Sequence, residues 1–338
     1  MVPRPTHLLT IRLLLIVLAM ECCKRIGNAT ALFAVIASMA ACETNRPDGT
    51  TMPVIWEPAI GLNESLPQGV RIYTGHNEEL PLQAWYVRID EPAPHISTRV
   101  VISDDVEDNR ETVSSFAHDL GACVVVNGGY FRMDRTPASH VGLVVTGGAL
   151  VWPATRSVVR DSVSYETTRA AIGFTELGDV QIAWASTRND TVYAWPDPPP
   201  HSPGKPARPL DYDHAQTWDI VYALAAGPAL VVDGRVQVTS DQEVFFGTSI
   251  PEVHPRTAAG RTSNGTLIVM VVDGRQSVSR GVSLQELAAM MRDVGAVDAL
   301  NLDGGGSSTL VVNGVLLNRP TGGVFQREVM SALATFCE

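Results

Sequence analysis

The alternation of apolar and polar positions predicts a chain rich in strands and turns. Residues 70–73 and 83–89 alternate in this way, and they indicate an antiparallel pair near the start of the fold. A continuous apolar run at 122–126 is too short for a helix and indicates a central strand buried on both faces. Short apolar runs separated by Gly, Asn and Asp then continue to a hairpin that turns at Asn313-Gly314.

Two segments with helical periodicity interrupt the strands. Apolar residues recur at helical spacing in residues 110–120, and a glycine follows them. Ser283 and Glu286 have the spacing of a capping box at the start of a second helix, over residues 284–294. No internal repeat is evident. We therefore predict an α+β fold, a single mixed domain with a strand-rich core and a few helices packed on it.

Composition and charge narrow the choice of partners. The 338 residues are 45% apolar and 18% charged, which is typical of a globular protein and excludes an intrinsically disordered chain. The net charge is −11, and basic residues do not cluster beyond pairs, which argues against nucleic-acid binding. Small molecules, glycans or proteins remain as partners.

The N-terminal segment, residues 1–41, predicts export. It contains one acid and four bases, and a second apolar stretch ends in small residues before Cys42. This pattern resembles a bacterial lipoprotein signal, so Cys42 is a candidate for lipid attachment and the membrane contact would be the lipid anchor only. The expected location is the bacterial cell envelope. Two alternatives stay open: residues 8–20 are the true signal or an anchor helix, and the first nineteen residues are an over-extended reading frame.

The remaining chain divides into a tether and a domain. Residues 42–68 are rich in Pro, Asn and Gly, which suits a flexible tether, and the domain is expected to comprise residues 69–338. Of the five cysteines, only Cys123 and Cys337 lie in this domain, and neither has a CxxC or CxxH neighbour. A disulfide and two buried free thiols both fit an exported protein.

Three loops follow a common pattern, in which an apolar strand runs directly into polar residues and glycines. They are residues 125–131, 271–275 and 300–308. Glycines at the end of a buried strand let backbone N–H groups converge on an anion, although each pattern alone is also that of an ordinary turn. A fourth segment places His254 beside Arg256, whose planar fork suits phosphate oxygens but equally suits an ion pair.

These segments together resemble the phosphodiester glycosidase family, whose bacterial members are often exopolysaccharide-related. The resemblance extends from about Pro94 to Phe336. Its motifs occur in order: Asn127-Gly128-Gly129-Tyr130-Phe131, Gly227-Pro228 with Asp233-Gly234, Pro255-Arg256-Thr257, Asp273-Gly274-Arg275, and Asn301-Leu302-Asp303-Gly304-Gly305-Gly306-Ser307-Ser308. The family implies a hydrolase that cleaves a sugar-1-phosphodiester, such as one of N-acetylglucosamine, at the anomeric carbon.

The expected chemistry assigns roles to the motif residues. A carboxylate must attack the anomeric carbon or activate water, and Asp303 is the first candidate, with Asp273 the second. His254 is either a proton donor or a packed histidine. The residues expected to bind substrate or phosphate are Arg256, Asn127, Gly128, Gly129, Thr257, Gly304, Gly305, Gly306, Ser307 and Arg275.

The same residues give less support to other functions. A metal-dependent phosphodiesterase needs clustered His and Asp ligands, and a serine hydrolase needs a GxSxG elbow; the sequence contains neither pattern. We expect no metal and no required cofactor, and calcium near Asp303 would rest on a single carboxylate. A non-catalytic lipoprotein that binds glycans or sugar phosphates remains the alternative, because its pocket would look similar.

Overall fold

The computed structural model describes residues 53–90, 93, 95–320, 323 and 325–337. These described residues form one compact unit. The predicted signal segment, the lipidation candidate Cys42 and the first part of the predicted tether lie outside the described residues. Within the described part of the chain, no helix is long and apolar enough to cross a membrane.

Strands dominate the described residues. They are β1 (Ile55–Pro58), β2 (Val70–His76), β3 (Gln83–Ile89), β4 (Ile96–Ile102), β5 (Val124–Asn127), β6 (Phe131–Arg132), β7 (Ser139–His140), β8 (Val144–Thr146), β9 (Ala149–Trp152), β10 (Ser157–Arg160), β11 (Val163–Glu166), β12 (Arg169–Phe174), β13 (Val180–Arg188), β14 (Thr191–Trp195), β15 (Gln216–Thr217), β16 (Tyr222–Ala225), β17 (Ala229–Val232), β18 (Arg235–Val236), β19 (Arg256–Arg261), β20 (Leu267–Val272), β21 (Asp298–Asn301), β22 (Leu310–Val312), β23 (Val315–Leu316) and β24 (Ser331–Cys337).

Helices are few and short, so the predicted α+β class is wrong. In the described residues the α-helices are α1 (Ile60–Asn63), α2 (Val113–Leu120) and α3 (Leu284–Asp293). The fold is instead a strand-dominated assembly of antiparallel sheets. The two helices that the sequence predicted are present, and the capping box of α3 forms as expected. Local helical periodicity shows that a helix forms but not how small a part of the core it covers, and here strands supply most of the core.

Three large antiparallel sheets carry the architecture. The eight-stranded sheet has the order β1-β2-β3-β20-β19-β21-β17-β18, the seven-stranded sheet β15-β14-β13-β12-β16-β8-β9, and the five-stranded sheet β23-β22-β5-β24-β4. One large apolar core joins side chains from all three sheets. Helix α3 covers the outer face of the eight-stranded sheet, and α2 covers that of the five-stranded sheet. The predicted central strand, β5, is buried along its whole length between β22 and β24.

Ordered structure begins before Gly69, inside the stretch that was predicted to be a tether. Strand β1 pairs with β2, and the Trp56 ring lies against Gly75 so closely that a Cβ there would be 2.3 Å from it. The same ring packs edge-on against Tyr86, with 4.7 Å between ring centroids. Residues 55–58 are therefore an edge strand of the domain.

The two larger sheets contain the same five-stranded unit twice. The order β13-β12-β16-β8-β9 in one sheet matches β20-β19-β21-β17-β18 in the other, with each neighbouring pair antiparallel. From residue 143 to residue 178 the sequence carries the same duplication without a gap, since identical residues recur 87 positions apart, whereas the last strands of the two units, β16 and β21, are 76 positions apart. These pairs are Leu143 and Leu230, Val144 and Val231, Val145 and Val232, Gly147 and Gly234, Arg169 and Arg256, Ala171 and Ala258, Gly173 and Gly260, Thr175 and Thr262, and Gly178 and Gly265.

Hydrogen bonds in the duplicated turns confirm the correspondence. The Thr175 N–H donates to Asp179 O (3.1 Å), and in the second unit the Thr262 N–H donates to Thr266 O (2.9 Å). The following glycines, Gly178 and Gly265, both have positive φ, at 84° and 91°. The expectation that the chain has no internal repeat is therefore wrong. Its identities are too sparse to be evident without the strand pairing.

A disulfide joins Cys123 and Cys337, which are 214 positions apart. Cys123 immediately precedes β5, and Cys337 ends β24, which pairs with β5. The bridge closes residues 123–337, which contain all the family motifs described above, into one loop. A disulfide is typical of proteins that fold in an oxidising compartment.

Candidate active site

Asn127 organises the site, because it links the ends of three chain segments. Its side chain is fully buried at the end of β5. The Thr257 hydroxyl and the Thr309 N–H donate to its Oδ1, at 2.7 and 3.1 Å, and its Nδ2 donates to the Asp303 carbonyl at 2.7 Å. Buried amides are stable only when their donors and acceptors are used. Asn127 and Thr257, both predicted site residues, therefore fix the backbone of Asp303.

Asp303 follows β21, an interior strand of the eight-stranded sheet, and is partly exposed. Burial of its carboxyl group raises the pKa of Asp303 from 3.8 to about 6, while the Ser307 hydroxyl, the positive charge of Arg327 and the Gly304 N–H lower it. The Gly304 N–H donates to Oδ1 at 2.9 Å. A carboxyl group whose pKa is near neutral can exchange a proton during a reaction, which suits a catalytic acid or base.

The triglycine run folds into a tight turn that includes the 3₁₀ helix Gly305–Ser307. A Cβ on Gly304 would lie 2.9 Å from the Pro255 carbonyl oxygen, so this glycine is required by neighbouring backbone. The Gly305 N–H donates to the same oxygen at 2.9 Å. Gly306 and Ser307 are buried beneath the turn. The turn holds Ser307 against Asp303.

The Asn127-Gly128-Gly129 loop is crowded in the same way. A Cβ on Gly128 would lie 2.8 Å from the Ser331 carbonyl oxygen, and one on Gly129 would lie 2.7 Å from that of Ala225. The Gly128 N–H donates to Ser331 O at 2.8 Å, and the Gly128 carbonyl accepts from the Asp303 N–H at 3.1 Å. These glycines allow β5, β24 and the Asp303 loop to approach closely.

Arg275 projects beside the triglycine turn. Its guanidinium nitrogens would lie 3.5 Å from a Cβ on Gly305, and the residue is exposed. Arg275 Nη2 lies 3.1 Å from His254 Nδ1, and His254 Nε2 lies 2.9 Å from Ser249 O. Burial lowers the pKa of His254, and the charges of Arg256 and Arg275 lower it further. A neutral His254 that accepts from Arg275 and donates to Ser249 orients the arginine.

Arg256 lies at the start of β19 and is almost fully buried. Its Nε donates to Val282 O at 3.0 Å, and Nη2 donates to Ile250 O at 2.7 Å and to Glu252 O. Burial lowers the pKa of Arg256 to about 10. One edge of the guanidinium thus already holds three backbone carbonyls. These contacts support a structural role beneath the Asp303 loop, and its phosphate contact stays a prediction.

Asp273 is held by the adjoining loop. Its carboxylate accepts from Asn318 Nδ2 at 2.9 Å and from the Arg319 N–H at 3.1 and 3.0 Å, and the residue is 1% exposed. Burial raises the pKa of Asp273, while those hydrogen bonds and the Arg319 charge lower it. These contacts anchor the loop that precedes Pro320, and they leave Asp303 as the carboxylate with the more accessible position.

Two residues that were not predicted complete the site. The Tyr130 hydroxyl donates to Gly227 O at 2.9 Å and accepts from Asn301 Nδ2 at 2.8 Å. Burial raises the pKa of Tyr130, and the charge of Asp303 raises it further. Arg327 Nη1 lies 3.5 Å from Ser307 Oγ. Tyr130 belongs to a motif found in the sequence, although no role was assigned to it. Arg327 lies in an irregular segment, and no local sequence pattern indicates its role.

The geometry can be compared with known proteins. Residues 120–336 match the family described as phosphodiester glycosidase. The chain belongs to the phosphodiester glycosidase family. N-acetylglucosamine-1-phosphodiester alpha-N-acetylglucosaminidase of Mus musculus is 26% identical over 266 residues, which cover 75% of this chain and 44% of the mouse protein. The uncharacterized SPbeta prophage-derived protein YomE of Bacillus subtilis strain 168 is 39% identical over 225 residues, covering 67% of this chain and 29% of that protein.

A solved structure has the same fold. The zebrafish N-acetylglucosamine-1-phosphodiester alpha-N-acetylglucosaminidase catalytic domain, auto-inhibited by its pro-peptide, superimposes with a TM-score of 0.55 at 20% identity, over 87% of this chain and 86% of that one. This chain spans less than half the length of the mouse and Bacillus relatives. The family resemblance seen in the sequence is confirmed.

Proposed function

We propose that this phosphodiester glycosidase hydrolyses a sugar-1-phosphodiester of the N-acetylglucosamine type at the anomeric carbon. The observation that carries the proposal is Asp303, a partly exposed carboxyl group whose pKa burial raises to about 6, held rigidly by Asn127 and Gly128. The mouse, bovine and zebrafish relatives are named as enzymes that act on N-acetylglucosamine-1-phosphodiesters, which supports this substrate class.

The proposed reaction breaks the bond between the anomeric carbon and the phosphate oxygen. The electron pair of that bond stays on the oxygen, so the phosphomonoester leaves with one additional negative charge. Asp303 either attacks the anomeric carbon, in which case water later displaces it, or takes a proton from the attacking water. Because a phosphomonoester is a good leaving group, stabilising its charge matters more than protonating it.

Hydrolysis in isotopically labelled water tests the bond that breaks. We expect the heavy oxygen in the free sugar and none in the phosphomonoester, because the water oxygen becomes bonded to the anomeric carbon. Mass spectrometry of both products measures this directly. Label in the phosphate would show cleavage at phosphorus and reject the glycosidase mechanism, and binding without turnover would favour a glycan-binding lipoprotein.

We also propose export to the cell envelope with a lipid on Cys42. The pattern of small residues before Cys42 and the disulfide between Cys123 and Cys337 support this location. In bacterial cells we expect the wild-type protein in the membrane fraction and the Cys42→Ala variant in soluble or unprocessed form. Cell fractionation and intact-mass measurement check this. Identical partitioning of both proteins, with residues 1–41 retained, would contradict the anchor.

A further inference from the structure

Residues before and after Arg327 in the sequence form hydrogen bonds with the chain at the start of α2. The Gln326 side chain bonds to Ser114 at the start of α2, accepting from its N–H at 3.1 Å and donating to its hydroxyl at 2.6 Å. Val329 and Glu111 exchange two backbone hydrogen bonds, at 2.8 and 3.1 Å. The backbone around Arg327 is therefore anchored to α2, while its side chain extends to Ser307.

The guanidinium of Arg327 keeps most of its hydrogen-bonding capacity. Its contact from Nη1 to Ser307 Oγ is 3.5 Å long and involves a neutral group. Among the described residues no carboxylate forms an ion pair with it. Five other arginines each pair with a carboxylate, and they are Arg110, Arg132, Arg261, Arg280 and Arg292. Arg71 and Arg256 have no such pair but donate to backbone carbonyl oxygens instead. Burying part of a cation without a counter-charge is costly unless a ligand supplies one.

Arg275 shows the same property on the other side of the triglycine turn. It is exposed, and its described partner is the neutral His254. Gly305 lies next to Arg275, and Ser307 lies next to Arg327, so the turn separates two guanidinium groups that lack carboxylate partners. Asp303 lies at the start of the same turn. Such an arrangement favours an anion close to the carboxylate that performs the chemistry.

We propose that Arg327 is a catalytic residue that binds the phosphoryl group of the substrate, opposite Arg275. This inference rests on the proposed function and adds a residue to it. As the bond to the anomeric carbon breaks, the phosphate gains a negative charge, and the planar guanidinium stabilises that charge through two parallel hydrogen bonds. In the free protein the positive charge of Arg327 also lowers the pKa of Asp303.

The test compares Arg327→Gln with Arg327→Lys on two substrates: methyl N-acetylglucosamine-1-phosphodiester and 4-nitrophenyl N-acetylglucosaminide, which has no phosphate. For Arg327→Gln we expect kcat/KM on the diester to fall about a hundredfold, the usual loss for a donor that stabilises transition-state charge. The loss on the aryl substrate should be much smaller. The acid limb of the pH profile should move to higher pH, because the cation no longer stabilises the Asp303 carboxylate.

Arg327→Lys separates charge from geometry. The ammonium keeps the acid limb near its wild-type position but cannot form the bidentate contact, so the affinity for glycerol phosphate, measured by calorimetry, should weaken. The matched control is Arg292→Gln, which removes one positive charge from the end of α3, and both properties should stay unchanged there. Equal losses on both substrates, or unchanged glycerol phosphate binding in Arg327→Gln, would overturn the inference. If the wild-type protein cleaves neither substrate, the proposed function fails and the binding measurement alone decides the role of Arg327.

Discussion

Asp303→Asn is expected to lower turnover by about a thousandfold or more, since positioned acid–base groups alone supply on the order of a hundred- to ten-thousandfold. The amide keeps the shape of the carboxylate and its contact with Ser307, but it can neither attack the anomeric carbon nor accept a proton. Substrate binding should persist, because the phosphate contacts are made by other residues. Steady-state kinetics and calorimetric binding on the same variant measure the two effects separately.

Stability provides the control for Asp303→Asn. The raised pKa of Asp303 means that the folded state binds a proton more tightly than the unfolded state between about pH 4 and pH 6. The wild-type protein therefore loses stability as the pH rises through that interval, and at pH 7 the neutral asparagine should unfold at a temperature no lower than wild type. A folded Asp303→Asn protein with near-normal turnover would move the role to Asp273, and activity in Asp273→Asn as well would reject the carboxylate mechanism.

Glu243→Ala is expected to destabilise the fold by about 3–5 kcal/mol, the cost of breaking a buried charged network. Glu243 is fully buried, and it accepts from the Ala170 N–H at 2.8 Å, the Ala229 N–H at 2.8 Å, Trp184 Nε1 at 2.9 Å and the Thr239 hydroxyl at 2.6 Å. Burial raises the pKa of Glu243, and these donors and the Arg169 charge lower it. Alanine would remove the acceptor of the Ala170 N–H and of the Trp184 indole N–H, whereas the Ala229 N–H keeps its bond to the Thr239 hydroxyl oxygen at 3.0 Å.

Thermal unfolding measures this effect, and the midpoint should fall by roughly 10 °C for a domain of this size. The matched control is Glu176→Ala, on an exposed turn, which should change stability by less than about 0.5 kcal/mol. Glu243→Gln should lie between the two, because its carbonyl oxygen still accepts while its amide group faces N–H donors. Equal midpoints for Glu243→Ala and Glu176→Ala would show that the buried network contributes nothing.

The sequence predicted those features of the molecule that depend on interactions between residues close together in the chain. Strand β3, helix α3 and the hairpin of β22 and β23 were predicted closely, because apolar alternation, the Ser283 capping box and Asn313-Gly314 act between near neighbours. Sheet order was not predictable in this way. It depends on pairings such as β3 with β20, whose residues are far apart in the chain.

The same distinction between local and distant interactions applies to the candidate site. Asp303 was identified because its glycine-rich loop follows a buried strand. The sequence did not predict that hydrogen bonds hold the side chains of Arg256 and Asp273 in place. Their partners, such as the Val282 carbonyl and the Asn318 amide, belong to other loops. Arg327 was missed for the same reason. A residue type indicates what a side chain can do, whereas its distant contacts decide which of those functions remains open.

The duplicated units imply an evolutionary history in which the two copies diverged in role. Fusion of two genes for a self-associating half-domain would leave this pattern of matching strand order. In the second copy β21 leads to Asp303; aligned on Val221 and Val297, the first copy carries Gly227 at that position. A side chain on Gly227 would meet Glu243 Oε2 at 2.3 Å. Only the second copy thus carries a carboxylate at the end of this strand, and the glycine of the first copy leaves room for Glu243, a residue of the second copy, so each half now depends on the other for its packing.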